Sequence, residues 1–135
     1  MKIVDLDTKE RISIINITKE VEEEVRRSGV QEGLVNVYTR HTTTAIVINE
    51  DEDGLSKDFI AILQRLIPDD IFNYRHNMID NNASAHIRSI FLSPEVIIPI
   101  KDGRLWLGHW QSIFFVELDG PRTRSFAITV VNATG

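Results

Sequence analysis

SIFFVEL, residues 112–118, is the stretch that decides the fold, because it is apolar on both of its faces. Phe114, Phe115 and Val116 follow one another, and successive side chains of a strand point to opposite faces of its sheet. A half-exposed edge strand would alternate apolar and polar residues instead. The stretch therefore predicts a strand covered on both sides, by helices of the same chain or by a neighbouring subunit.

Strand and helix patterns extend from this stretch along the rest of the chain. Apolar and β-branched runs predict further strands at 11–18, 33–40, 44–50, 95–100, 104–108 and 125–131. Residues 19–29 and 55–67 have helical patterns, and Asp53 is a candidate cap for the second of these helices. Residues 83–92 can form a short third helix. Six or seven strands and two helices predict an α+β fold, with the helices packed on a largely antiparallel sheet.

Length and composition predict one soluble domain over residues 1–135, with 42% apolar and 26% charged residues. The sequence has no apolar run of membrane-spanning length and no signal-peptide pattern, so we expect a cytoplasmic protein without a membrane partner. The net charge of -5 argues against a nucleic-acid partner, because such proteins usually present a basic face. The absence of cysteine excludes disulfides, thiol catalysis and cysteine-ligated zinc.

The four histidines lie in polar or small-residue settings. His41 begins a polar link between two predicted strands, His109 follows another strand, and His76 and His86 belong to the polar segment 68–89. Long segments without clear secondary structure are uncommon inside compact domains and are usually functional or disordered. The histidines are therefore candidate site residues, although lone histidines are more often surface or cap residues.

Three imidazoles with a carboxylate nearby match the ligand preferences of divalent metals, zinc above all. Glu50 and Asp53 follow the strand at 44–50, and Asp80 lies between two of the histidines. In such a site the metal acidifies a bound water and a nearby carboxylate carries its proton. No two histidines have the short spacing of HExxH, so the residues alone leave the metal site and the surface interpretation both open.

Residues near the last turns are candidates for substrate binding. Trp106 and Trp110 do not fit one buried face, so at least one can line a pocket, and Gln111 is polar beside an apolar strand. Arg122 and Arg124 can hold a phosphate or carboxylate through two parallel hydrogen bonds. They can equally be ordinary turn arginines.

Four motifs in order resemble the YjbQ-like family, described as secondary thiamine-phosphate synthase enzymes. They are HTTTAIVINEDED (41–53), NYRHN (73–77), AHIRS (85–89) and GRLWLGHWQSIFFVELDGPR (103–122). The resemblance runs from about residue 10 to the C-terminus. It implies a small α+β subunit that assembles as a homotrimer, with the family's histidines in a polar pocket.

The resemblance also implies which residues form the site. The family's motif residues fall here on His41, Glu50, Asp53, His76, His86, Gly108, Trp110 and Gln111. We expect His41, His76 and His86 to hold a divalent metal, with zinc the first choice, beside the catalytic carboxylates Glu50 and Asp53. The family usually has threonine at the position of His109, and the stretch NMIDNN (77–82) departs from its usual acidic–glycine pair.

Two functions are consistent with these residues. One is an enzyme that joins a thiazole phosphate to a pyrimidine pyrophosphate, or that hydrolyses a small phosphorylated or acyl substrate with an activated water. In either reaction we expect Trp110, Gln111, Arg122 and Arg124 to bind the substrate. The other is a non-catalytic trimer that binds a metal or a small metabolite.

Overall fold

The computed structural model describes residues 1–70 and 73–135, which form eight strands, three α-helices and one short 3-10 turn. The strands are β1 (Lys2–Asp7), β2 (Ser13–Asn16), β3 (Glu32–Tyr38), β4 (Thr44–Asn49), β5 (Glu95–Lys101), β6 (Arg104–Leu105), β7 (Ser112–Glu117) and β8 (Thr123–Asn132). The helices are α1 (Thr18–Ser28), α2 (Asp53–Leu66) and α3 (Ala83–Leu92), and the 3-10 turn is Arg75–Met78. No helix in these residues is long and apolar enough to cross a membrane.

The strands form two antiparallel sheets. Five strands lie in the order β1-β8-β3-β5-β6, and three in the order β2-β7-β4. The stretch SIFFVEL forms the middle of the smaller sheet, where Phe115 pairs with Ile15 on one side and with Ile46 on the other. The α+β class is confirmed. The chain divides its strands between two sheets and adds the short third helix to the two main ones.

Both faces of β7 are covered within the chain. Phe115 is fully buried between the two sheets, in a core to which α1 contributes Val21 and Val25. Val116 is fully buried on the opposite face, where α2 and α3 pack through Leu63 and Ala85. The molecule therefore has three layers, with helices on the smaller sheet and the smaller sheet on the larger one. Helix cover, rather than a neighbouring subunit, protects the outer side of β7.

The N-terminal strand β1 was not among the predicted elements. It lies at the edge of the larger sheet and pairs with β8, so that Val4 stands opposite Phe126. Its apolar residues alternate with aspartates, and Val4 and Leu6 are only half-buried. Because the strand adds little to the core, the long apolar run that marks β7 is missing here.

The polar segment 68–89 contains more regular structure than its composition suggests. The 3-10 turn and the first part of α3 lie within it, while residues 71 and 72 lie outside the described residues. Ser89 donates a hydrogen bond to the Thr44 carbonyl oxygen at 2.6 Å, which fastens α3 to β4. The segment therefore holds its polar side chains against the folded body of the chain.

Candidate functional site

Two of the predicted histidines meet where the 3-10 turn approaches α3. The ring centroids of His76 and His86 are 4.7 Å apart and the rings meet edge to face at 77°. Asn82, the residue before α3, lies beside them, with its Oδ1 3.1 Å from His76 Nε2. The polar turn between the two elements thus brings together side chains that are ten residues apart in the sequence.

This pair is connected to the turn between β7 and β8. Asn82 Nδ2 donates to Asp119 Oδ2 at 3.0 Å, and Arg122 Nη2 donates to the same oxygen at 3.0 Å. Arg122 Nε also donates to the Asp119 carbonyl oxygen at 2.8 Å. We call His76, His86, Asn82, Asp119 and Arg122 the histidine network. Asp119 and Asn82 were not predicted, although Asp119 belongs to the DGPR turn directly after SIFFVEL.

Arg124 has a different setting from Arg122. Its guanidinium is buried against the carboxylate of Glu117, with Nε 2.8 Å from Glu117 Oε1, and its Nη2 also donates to Thr43 Oγ1 at 2.8 Å. Thr8 donates a further hydrogen bond to Glu117 Oε1 at 2.7 Å. The structure therefore places Arg124 inside the fold, where its donors are used by internal partners.

The surroundings of Glu117 keep its carboxylate ionised. Burial raises the pKa of Glu117, but hydrogen bonds from Arg124, the Asp119 N–H and Thr8 outweigh burial, so the pKa lies below its ordinary value. The Asp119 N–H lies 3.0 Å from Glu117 Oε2. This buried pair thus holds the backbone of Asp119, and with it the start of the turn that carries the histidine network.

His41 has a different hydrogen-bond partner from the other two predicted ligands. Its Nε2 accepts a hydrogen bond from the Ser125 N–H at 3.0 Å, so this nitrogen is unprotonated and already occupied. Burial lowers the pKa of His41, and the positive charge of Arg124 lowers it further. The ring is therefore held neutral as a hydrogen-bond acceptor beside β8.

The two predicted carboxylates lie at the far end of β4 from His41. Since β4 has six residues, it separates the two ends by roughly 17–20 Å. Asp53 is exposed and forms an ion pair with Lys57 at 2.9 Å, and the helix cap is Glu52, whose carboxylate accepts from the Gly54 and Leu55 N–H groups. Glu50 lines a largely apolar cavity of about 220 Å³.

The residues of the LGHWQ motif form a tight turn. Gln111 Oε1 accepts from the Gly108 N–H at 2.8 Å, and the Gln111 N–H donates to the Gly108 carbonyl at 3.0 Å. The rings of His109 and Trp110 are 4.8 Å apart, and Trp110 is largely exposed. This turn presents an aromatic surface, while Gln111 has the backbone hydrogen bonds of a structural residue.

The described residues of one chain do not bring three metal ligands together. Two imidazoles that share a zinc ion at about 2.1 Å have ring centroids roughly 5 Å apart, and the His76–His86 spacing is close to that. His41 is held elsewhere, and in residues 1–70 and 73–135 no group of three His, Asp or Glu side chains is placed to hold a metal ion. Within one subunit, the expected zinc would therefore find two ligands and lack a third.

Comparison with known proteins places this architecture in a family. The model of the UPF0047 protein YjbQ-like family matches residues 2–133. The chain belongs to the YjbQ-like family. A UPF0047 protein of Methanothermobacter thermautotrophicus is 44% identical over 93% of this chain and 87% of its own length. UPF0047 protein YugU of Bacillus subtilis is 35% identical over 97% of this chain and 98% of its own length.

Solved structures of YjbQ-like proteins have the same fold. A YbjQ-like protein of unknown function from Sulfolobus solfataricus superposes with a TM-score of 0.94 at 36% identity, covering 97% of this chain and 95% of the other. A hypothetical protein from Aeropyrum pernix gives a TM-score of 0.93 at 35% identity, covering 97% of each chain. These similarities establish the family and the fold.

Proposed function

We propose that this YjbQ-like chain is one subunit of a homotrimeric enzyme that acts on a small phosphorylated substrate at the histidine network. The observation that supports the proposal is the edge-to-face His76–His86 pair, joined through Asn82 and Asp119 to Arg122. Two imidazoles, an amide, a carboxylate and a guanidinium are the side chains that acid–base chemistry on a phosphorylated molecule requires.

The hydrogen bonds of the network assign the proton on His76. The Asp119 carboxylate only accepts, so Asn82 turns its Nδ2 toward Asp119 and its Oδ1 toward His76. His76 Nε2 therefore carries the hydrogen, and Nδ1 is left with a lone pair that can accept a proton. His76 can therefore serve as a base through Nδ1, while the neighbouring His86 serves as the acid.

Two positive features beside the pair suit an anionic group. The Asn82 side chain does not cap α3, and Asn77 Oδ1 accepts the Ala83 N–H at 3.0 Å. The positive end of the helix dipole favours an anion such as a phosphate near His86. Arg122 leaves 52% of its side chain exposed while Asp119 holds its Nε and Nη2. A phosphate between the start of α3 and Arg122 would lie within the network. Thiamine-phosphate synthesis is the specific reaction to test first, followed by hydrolysis of small phosphate esters.

The proposed metal requires the oligomer. Because the described residues of one chain supply only the His76–His86 pair at ligand spacing, zinc would need a third ligand from a neighbouring subunit. Glu50 and Asp53 lie at the far end of β4 from His41, so toward that histidine they could serve as catalytic carboxylates only in another copy. Assembly is thus part of the proposal.

The test compares the His76→Ala and His86→Ala variants with a His109→Ala control, whose ring contacts Trp110 outside the network. We expect turnover of phosphorylated substrates, and any bound zinc measured by elemental analysis, to be lost in the first two variants and kept in the control. Full turnover in both His76→Ala and His86→Ala would overturn the proposal.

A second candidate is non-catalytic metabolite binding, which the cavity beside Glu50 favours. Its apolar walls include Val47, Phe59 and Phe114, and Glu50 is its one charged side chain among the described residues. Such a cavity suits a small molecule with an apolar body and one positively charged group. Titration with aromatic amines, using Glu50→Gln with Asp58→Asn as the matched control, tests it. Saturable binding lost only in Glu50→Gln would support it, and the absence of binding would refute it.

A further inference from the structure

Helix α2 is held to the rest of the chain by few buried side chains. The shorter helix α1 buries Val21 and Val25 almost completely, whereas Leu63 is the one buried residue among the 14 of α2. Ile62 and Leu66 of α2 are 51% and 74% exposed. Segments with few buried apolar contacts open locally at a lower free energy than the core of the same protein. α2 is therefore easier to displace than α1.

Polar contacts do not fasten α2 to the smaller sheet either. The Glu52 carboxylate caps the first turn of the helix, and Lys57 pairs with Asp53 on α2 itself. In the described part of the chain, no side chain from Asp53 to Leu66 forms a hydrogen bond or ion pair with another strand or helix. The position of α2 over the sheet therefore depends on its apolar face alone.

The N-terminal half of α2 forms one wall of the cavity beside Glu50. Leu55, Ser56 and Phe59 line the cavity from the helix, and Phe114 lines it from the sheet. Protein interiors are normally close-packed, so a space of about 220 Å³ removes contacts that would otherwise hold this half of α2 in place. A ligand that fills the cavity would supply the missing contacts.

The C-terminal end of α2 is fastened to α3 by Arg88. This side chain is fully buried, and its Nε and Nη2 donate to the Ile67 carbonyl oxygen at 3.1 and 2.6 Å. Its Nη2 also lies 3.3 Å from Asp69 Oδ1, and Ser84 of α3 donates to the same oxygen. One guanidinium thus joins the end of α2 to the middle of α3, so a displacement of α2 reaches α3 through Arg88.

Helix α3 extends from the histidine network to the cavity beside Glu50. His86 lies in its first half and contacts His76, while Leu92, its last residue, lines the cavity. A helix of ten residues moves as one body because backbone hydrogen bonds link its successive turns. The cavity and the histidine pair therefore depend on the position of the same helix.

We propose that a ligand in the cavity beside Glu50 regulates the histidine network through α2, Arg88 and α3. The inference rests on the proposed function, because it gives a joint role to the two candidate sites. The ligand is a small molecule with an apolar body and one positively charged group, which suits the apolar walls and the Glu50 carboxylate. Its binding orders α2 and α3, so a second ligand at the histidine network meets a chain that is already ordered. Each ligand should therefore strengthen the binding of the other.

The experiment titrates the full chain with pyrophosphate by calorimetry, with and without saturating benzylamine. We expect benzylamine to lower the Kd of pyrophosphate at least about fivefold, and pyrophosphate to lower the Kd of benzylamine by the same factor, because coupling between two sites is reciprocal. In the control Glu50→Gln, benzylamine should leave the Kd of pyrophosphate unchanged.

Three results would overturn the inference, and they are distinguishable. Equal Kd values with and without the second ligand would remove the coupling and leave both binding sites intact. Absence of benzylamine binding would remove the cavity site as well, and absence of pyrophosphate binding would remove the histidine site as well. Coupling that persists in Glu50→Gln counts as the first result, because the amine then acts outside the cavity.

Hydrogen exchange of the native chain tests the loosely held helix without any substitution. We expect the amides of α2 to exchange at least about tenfold faster than those of α1, and saturating benzylamine to slow exchange in α2 but not in α1. Exchange in α2 that bound benzylamine leaves unchanged would overturn the inference.

The variant Arg88→Lys tests the connection between the helices. Lysine keeps the positive charge but lacks the planar fork that holds the Ile67 carbonyl through two donors, so the two ligands should bind independently. The control is Arg65→Lys at an exposed position of α2, which should keep the native coupling. Circular dichroism verifies folding, and the native titration needs no variant. Native coupling in folded Arg88→Lys would overturn the route through Arg88.

Discussion

Two acid–arginine pairs lie one inside the other where β7 turns into β8, and they differ mainly in how deeply they are buried. The inner pair, Asp119–Arg122, closes the turn, and Arg122 is half exposed. The outer pair, Glu117–Arg124, joins the smaller sheet to the larger one, and its side chains are 0% and 6% exposed. The buried Glu117–Arg124 pair therefore stabilises the packing of the two sheets. The Asp119–Arg122 pair, whose arginine is half exposed, is available to a ligand.

Breaking the buried pair should give the largest effect. Arg124→Ala leaves the Glu117 carboxylate buried without its cation, which should lower the free energy of unfolding by about 3–5 kcal/mol. Urea unfolding followed by circular dichroism measures the change. The double variant Glu117→Met/Arg124→Met removes both charges and should recover part of the loss. A loss below about 1 kcal/mol for Arg124→Ala would show that the pair does not hold the sheets together.

The same pair should make stability depend on pH, together with His41. The pKa of Glu117 is lowered in the folded chain, so its contribution is complete above the ordinary carboxyl pKa of 4.5 and is lost as pH falls through the lowered value. The pKa of His41 is also lowered, so folding favours its neutral form and stability begins to fall below pH 6.5. Acidification should therefore destabilise the chain in two steps.

Unfolding free energies measured from pH 8 to pH 3 test this order. His41→Gln keeps a side chain that can accept the Ser125 N–H but cannot take up the proton, so the step that begins near pH 6.5 should disappear in this variant. The step at lower pH should remain. An unchanged first step in His41→Gln would assign it to another group.

Removing the exposed arginine should have a much smaller effect on stability. Arg122→Ala breaks a partly solvated pair, so the free energy of unfolding should change by at most about 1 kcal/mol. If Arg122 receives a phosphate, binding of pyrophosphate should weaken at least tenfold, which corresponds to about 1.4 kcal/mol. Calorimetric titration and urea unfolding of the same sample separate the two effects. Large destabilisation with unchanged binding would reverse the roles assigned to the two arginines.

The smallest effect is expected at the surface of α2. Asp53→Asn removes the carboxylate that pairs with the exposed Lys57, so the unfolding midpoint should not change measurably. Any loss of turnover in this variant would then report on chemistry alone. A clear shift of the midpoint would mean that Asp53 has a structural contact in the assembly.

Sequence patterns predict features that are set by residues close together in the chain. The double-sided apolar run at 112–118 predicted the covered strand β7, and the polar composition of 68–89 drew attention to His76 and His86. Contacts between distant segments are different. No local pattern shows that Asn82 meets Asp119 or that Glu117 meets Arg124, because these pairs form only when sheets and helices pack.

The position of His41 illustrates the same limit. The resemblance to the family implied a three-histidine cluster with His76 and His86, yet the β3–β4 connection turns His41 toward Ser125. Glu50 follows His41 closely in sequence, but an extended strand carries it to the other end of the sheet. Sequence alone therefore does not show which of these side chains one chain brings together, and it leaves the role of a second subunit open.

The most direct test of the central claim is a long-range ¹H–¹⁵N NMR titration of the four histidine rings with pyrophosphate. The account predicts that free His76 has its hydrogen on Nε2, and that the His76 and His86 signals shift together on saturation while His109 does not respond. Unchanged His76 and His86 signals at saturating pyrophosphate, or His76 with its hydrogen on Nδ1, would contradict the account.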